Sequence, residues 1–136
     1  MDALLRALVA VGDAATDPAE RLRSTLALEG FKALPEALGQ GLELFRAASC
    51  TAVAGASPAH MNLLRHFALH CSSHALRSSS HSPQVIVEAR RNALLLVQGM
   101  LHPAEERFIV QGLVSLIEEL AYVDLDWPEL VPSLLL

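Results

Sequence analysis

Apolar residues recur at helical spacing along almost the whole chain, and short polar, glycine-containing or proline-containing stretches interrupt the pattern. The first stretch, from Asp2 to about Val11, predicts a short apolar helix closed by Gly12. Five further helices are expected to start near residues 17, 37, 57, 83 and 103, four of them at a proline. A truncated last helix starts within residues 126–129. The pattern therefore predicts an all-α chain.

The clearest apolar stripes belong to the helices predicted over 57–77 and 103–123. On a wheel of 100° per residue, the apolar residues of the first fall within about 60° of one line. They are Met61, Leu64, Phe67, Ala68, Cys71 and Ala75. The stripe of the second consists of Ile109, Val110, Leu113, Leu116, Ile117 and Leu120. The helix that starts near residue 17 carries a looser set, which comprises Leu22, Leu26, Glu29, Phe31 and Leu34.

The helix starts are spaced roughly 20–26 residues apart, which pairs them at the ~40–47-residue period of HEAT and armadillo repeats. The connections, near 51–57 and 78–83, are short, so neighbouring helices should be antiparallel. We therefore predict one domain over residues 1–136, with about three antiparallel helix pairs stacked as a HEAT/armadillo-like α-solenoid. The apolar end at residues 134–136 suggests the start of a longer solenoid; alternatively, the tail folds back over its own core.

Composition agrees with a helical core, since 52% of the residues are hydrophobic and only 4% are aromatic. The formal net charge is −5 and no basic stripe is visible, which disfavours direct RNA binding by this segment alone. Two cysteines without a CxxC spacing indicate reduced thiols rather than a disulfide framework. No run of ~20 uncharged apolar residues is present, so we expect no membrane partner.

His66, His70 and His74 recur every four residues and therefore share one helix face. Such a row is able to chelate a transition metal, but no acidic residue lies on this helix to complete a catalytic site. A solvated or partner-facing polar stripe is the better interpretation. Cys71, on the apolar face, is interpreted as a small core residue rather than a nucleophile. We predict no catalytic residue, no metal and no cofactor, and hence no enzyme.

Some polar and aromatic residues remain as candidates for partner contact. Arg90 and Arg91 suit an acidic partner, although a plain solvated face is the simpler interpretation. Trp127 is expected to plug the gap between adjacent repeats, or, if exposed, to anchor a partner. The candidate partner-binding residues are Asn62, His66, His70, Arg90, Arg91, Glu118 and Trp127.

Two stretches resemble the N-terminal region of the importin-β/exportin family. The string Leu-Leu-Arg-His-Phe-Ala-Leu-His at residues 63–70, continued by His-Ala-Leu at 74–76, looks like a helix of the exportin-five, or Hasty-like, branch. Residues 113–120 with Asp-Trp-Pro-Glu-Leu at 126–130 resemble the family's helix that ends in Trp-Pro. The chain departs from the family at 78–80, where serines replace a frequent tryptophan, and over 40–56, which has no clear counterpart.

This resemblance implies nucleocytoplasmic transport. Family members are HEAT superhelices whose N-terminal repeats hold the small GTPase Ran in its GTP form, and they shuttle between nucleus and cytoplasm. The resemblance also implies a small structured RNA or protein cargo for a full-length receptor. About three repeats are too few to enclose cargo, so Ran contact is the function expected of this chain. The alternative is a generic helical-repeat adaptor that takes no part in transport.

Overall fold

The computed structural model describes residues 1–51, 53–99, 105–123 and 127–134, and within these ranges the chain forms seven helices and no strand. The predicted all-α class is thereby confirmed. The helices are α1 (Asp2–Gly12), α2 (Pro18–Lys32), α3 (Ala37–Cys50), α4 (Pro58–Ser78), α5 (Pro83–Gly99), α6 (Arg107–Val123) and α7 (Leu130–Leu134).

Three helix starts follow the local chemistry that the sequence indicates. The Asp17 carboxylate accepts a hydrogen bond from the backbone N–H of Ala19 at 3.1 Å, at the start of α2. The hydroxyl of Ser57 accepts from the backbone of α4 at 3.2 Å, and that of Ser82 accepts from the backbone of α5 at 3.3 Å. A proline at the first helical position follows each cap, because its missing N–H needs no partner there.

The start of α6 differs from the prediction. The helix begins at Arg107 instead of near residue 103, and both Glu105 and Glu106 precede it. The carbonyl of Glu106 accepts the first turn's hydrogen bonds from Ile109 and Val110. The residues predicted for the end of α5 at 100–101 and the helix start at 102–104 lie outside the described residues, as do 124–126 and 135–136.

Helix α4 is the centre of the fold, because it contacts α1, α2, α3 and α6. Its buried side chains therefore span an arc of about 160°, wider than the predicted stripe. Phe67, at the edge of that stripe, is only half-buried and packs against Phe31 of α2 with ring centroids 6.0 Å apart. The buried residues of α4 are Met61, Leu64, Arg65, Ala68, Leu69, Cys71, Ser72, Ala75 and Leu76.

The middle four helices associate as two pairs. α3 packs on α4 and α5 packs on α6, while α3 also contacts α5 and α4 also contacts α6. First helices thus meet first helices and second helices meet second helices, the arrangement expected of stacked helix pairs. The leading pair differs, because α1 and α2 pack on each other and both contact α4.

Most members of the looser set of residues that the sequence indicates for α2 are exposed. Leu22 and Leu26 are 60% and 62% exposed, and Leu34 is exposed beyond the end of the helix. The buried leucine of α2 is Leu28, and Phe31 is half-buried beside it. α2 packs against α1 and α4, and most of its residues are exposed.

A glycine sets the distance between α3 and α4. A Cβ at Gly41 would lie 2.7 Å from the carbonyl oxygen of Ala68 and would also overlap the hydroxyl of Ser72. That hydroxyl is buried and donates a 2.8 Å hydrogen bond across the crossing to the carbonyl of Leu38. The close approach therefore requires a residue without a side chain at this position.

A buried ion pair joins this helix pair to the start of α6. Arg65 and Glu105 form two parallel hydrogen bonds of 2.6 and 2.8 Å, and their side chains are only 7% and 9% exposed. The same guanidinium donates to Ser49 at 3.0 Å and to Asn62 at 3.1 Å. It also lies over the Phe45 ring, 4.7 Å from the centroid. Because its donors are satisfied from several directions, the charge is stable in the interior.

Replacing Gly41 by alanine should lower the free energy of unfolding by about 1–3 kcal/mol, since the new methyl group meets backbone atoms of α4. Gly39→Ala is the matched control: nothing lies within 4 Å of its Cβ position. That change should raise stability by about 0.5–1 kcal/mol through helix propensity. Urea unfolding followed by circular dichroism measures both, and equal effects would contradict the close crossing.

Replacing Glu105 by glutamine should destabilise the fold by about 3–5 kcal/mol, because buried Arg65 loses its counter-charge. The neighbouring exposed residue provides the control, since Glu106→Gln should change stability by less than about 0.5 kcal/mol. The unfolding midpoints of the unchanged chain and of the Glu105→Gln variant, compared at low and high salt, also test whether the ion pair is buried. A loss that disappears at high salt would show that the pair is exposed.

Candidate interaction surface

The seven candidate residues fall on separate parts of the surface. Asn62, His66 and His70 lie on α4, Glu118 is exposed on α6, and the other three belong to α5 and the segment before α7. The structure brings Arg90, Arg91 and Trp127 together at one groove, which lies between α5 and residues 127–129. The candidates therefore divide between an α4 face, an α5 groove and, for Glu118, the surface of α6.

On the α4 face, His66 and His70 are exposed and His74 is half-buried. The His66 ring meets Phe108 of α6 edge-on, with centroids 5.5 Å apart. Asn62 is half-buried, and its side-chain oxygen accepts from the buried arginine of the ion pair. His66 and His70 thus remain accessible to a partner, whereas Asn62 helps to hold the fold.

The surroundings of His70 favour its neutral form. Burial lowers the pKa of His70 below its usual value, and the positive charge of Lys32 and of the neighbouring histidines lowers it further. Among the residues that the structure describes, no three His, Cys, Asp or Glu side chains are grouped closely enough to hold a metal ion.

Cys71 lies on the buried side of α4. Its side chain is fully enclosed, and burial raises the pKa of the thiol to about 12. The neutral thiol therefore persists at physiological pH and is a poor nucleophile. The interpretation of Cys71 as a small core residue is confirmed.

Arg90 does not belong to a solvated basic face, and that interpretation is wrong for it. Its side chain is buried, and its guanidinium donates hydrogen bonds of 2.7 and 3.2 Å to the carbonyl of Leu120 in the last turn of α6. Carbonyls of a last helical turn have few intrahelical partners, so a cation there satisfies both hydrogen bonding and the helix dipole. Arg91, one residue on, is exposed.

Trp127 is a packing residue rather than an exposed anchor. The indole is 8% exposed, belongs to the hydrophobic core and lies 4.9 Å from the Arg90 guanidinium carbon in a cation–π contact. The predicted plug between neighbouring helices is therefore consistent with its position. Its remaining accessible edge forms part of the groove wall.

The groove between α5 and residues 127–129 has a volume of about 480 Å³. Val87 and Leu95 on its α5 side are 62% and 56% exposed. The sequence does contain a signal for this surface, because α5 carries apolar residues on more than one face. The groove-lining residues are Val87, Arg90, Arg91, Leu94, Leu95, Gln98, Trp127, Pro128 and Glu129.

Comparison with known proteins adds no relative. No family model matches the chain, and neither the curated proteins nor the solved structures contain a significant match. Within the described ranges, no helix combines the length and the apolar character needed to cross a bilayer. The surface itself offers apolar contact, one exposed cation and one exposed carboxylate, which suit non-covalent recognition.

The adjacent arginines of α5 should respond differently to alanine. Arg90→Ala should cost about 1.5–3 kcal/mol, because it removes charged hydrogen bonds to the Leu120 carbonyl and uncovers Trp127. Arg91→Ala should stay within about 0.5 kcal/mol. Thermal unfolding gives the energies, and the emission of Trp127, the single tryptophan, should shift to the red only in the first variant. Equal losses would contradict the placement of the two side chains.

Proposed function

We propose that this chain is a non-catalytic helical scaffold of the HEAT-like type that binds other macromolecules. The observation that supports the proposal is the pairwise stacking of the middle helices, in which α3 contacts α5 and α4 contacts α6. Stacked pairs of this kind present extended surfaces for partners instead of one enclosed pocket. The exposed apolar residues of α2 and α5 agree with a surface built for contact.

Within that class, the proposed partner is Ran in its GTP form, in a receptor that shuttles between nucleus and cytoplasm and, at full length, carries a small structured RNA or protein cargo. The support is the resemblance of residues 63–76 and 126–130 to the importin-β/exportin family. Leu64, Arg65 and Ala68 of the first string are buried, so they serve packing. We therefore expect exposed neighbours such as His66 and His70 to contact the partner.

Purified chain should bind immobilised Ran loaded with a non-hydrolysable GTP analogue more tightly than Ran loaded with GDP, because the family's N-terminal repeats hold the GTP form. Replacing His66 and His70 by alanine should weaken that binding on the order of tenfold, the effect of losing two contact side chains. His60→Ala is the control, since it changes an exposed histidine at the start of the same helix.

A folded chain that binds neither form, or both forms equally, would remove Ran from the proposal. Circular dichroism confirms that the sample is helical before that conclusion is drawn. The second candidate is then a helical-repeat adaptor outside transport. The α5 groove favours it, because that groove offers a binding surface away from the α4 face.

A further inference from the structure

Two exposed side chains of opposite charge flank the α5 groove. Arg91 lines the groove from α5, and Glu129 lines it from the segment before α7. Within the described parts of the chain, neither side chain takes part in an ion pair. The groove therefore has a positive and a negative edge that await complementary charges.

The α5 side of the groove carries exposed apolar residues on both sides of Arg91. Val87 precedes Arg91 by four residues and Leu95 follows it by four, so the three side chains share one helix face. Both apolar members are more than half exposed. Two apolar contacts separated by about two helical turns match the spacing of anchors on an amphipathic helix.

The part of the groove wall formed by Trp127 is held in place before any partner binds. Trp127 lies against Arg90, and Arg90 is tied to the carbonyl of Leu120 by two hydrogen bonds. Leu94, also at the groove, is buried in the core. A preformed surface binds without the entropy cost of ordering its own side chains.

We propose that this groove binds an amphipathic helix of a partner protein, with apolar residues two turns apart against Val87 and Leu95. The bound helix carries a carboxylate on the edge that faces Arg91 and a basic residue on the edge that faces Glu129. The charges set its orientation, and the apolar residues supply most of the contact. This inference rests on the proposed scaffold function but does not require Ran.

The probe is a synthetic helix of alanine and glutamine with two leucines two turns apart, a glutamate on one flank of the leucine face and a lysine on the other. A control peptide carries both the glutamate and the lysine on one flank, so its composition and net charge are the same and reversing its direction does not restore the match. Neither peptide contains tryptophan, and the emission of Trp127, the only tryptophan of the chain, reports occupancy directly. The first peptide should bind saturably, and the control roughly tenfold more weakly.

Variants of the chain identify the surface. Arg91→Glu should abolish the preference, because the groove is then negative on both edges and each peptide makes one matched and one mismatched charge contact. Leu95→Ala should weaken the first peptide roughly fivefold or more, whereas Leu22→Ala, which truncates a similarly exposed leucine on α2, should leave its binding unchanged.

Several results would overturn the inference. Absence of binding, equal affinity for both peptides, an undiminished preference in the Arg91→Glu variant, or equal losses at Leu95 and Leu22 each would do so. Self-association of the chain that alters Trp127 emission and displaces the peptide would assign the groove to a second copy instead. The Ran assay depends on the α4 face, so the two proposals fail separately: Ran binding without peptide binding removes only the groove.

Discussion

Gly41 lets the backbone of α3 approach α4 so closely that Ser72 reaches across to the carbonyl of Leu38. The other contacts of the fold depend on this crossing, because α5 packs on α3 and α6 packs on α4. It makes α3 and α4 one rigid unit from which the remaining helices take their positions. With α1 and α2 also on α4, that helix contacts four others and buries an arc of about 160°.

Two buried arginines link neighbouring helices, and the positive charge of each is stabilised by different partners. Arg65 is neutralised by Glu105 and fixes the chain just before α6. Arg90 has a carbonyl oxygen and the face of Trp127 as partners, and it fixes the end of α6 to α5. Both are satisfied internally, so they contribute to order rather than to the charge that a partner meets. Recognition is left to exposed groups such as Arg91.

The functional proposals follow from this division between interior and surface. The α4 face presents the exposed His66 and His70, whereas the α5 groove combines apolar residues with charged ones. The thiol of Cys71 is enclosed and its pKa is raised, so it is a poor nucleophile. A scaffold with two independent contact surfaces accounts for these features, and each surface has its own experimental test.

The sequence by itself determined where helices form, because caps, prolines and the helical period act over a few residues. It also identified the core stripe of α6 and the burial of Cys71 and Trp127. Only the tertiary structure decided which face of α2 is buried, why position 41 is glycine, and that Arg65 and Glu105 pair across forty residues. Periodicity shows that a helix has an apolar side, but it does not show how many neighbours will cover it. The groove likewise depends on where residues 127–129 meet α5, a non-local contact that no local pattern encodes.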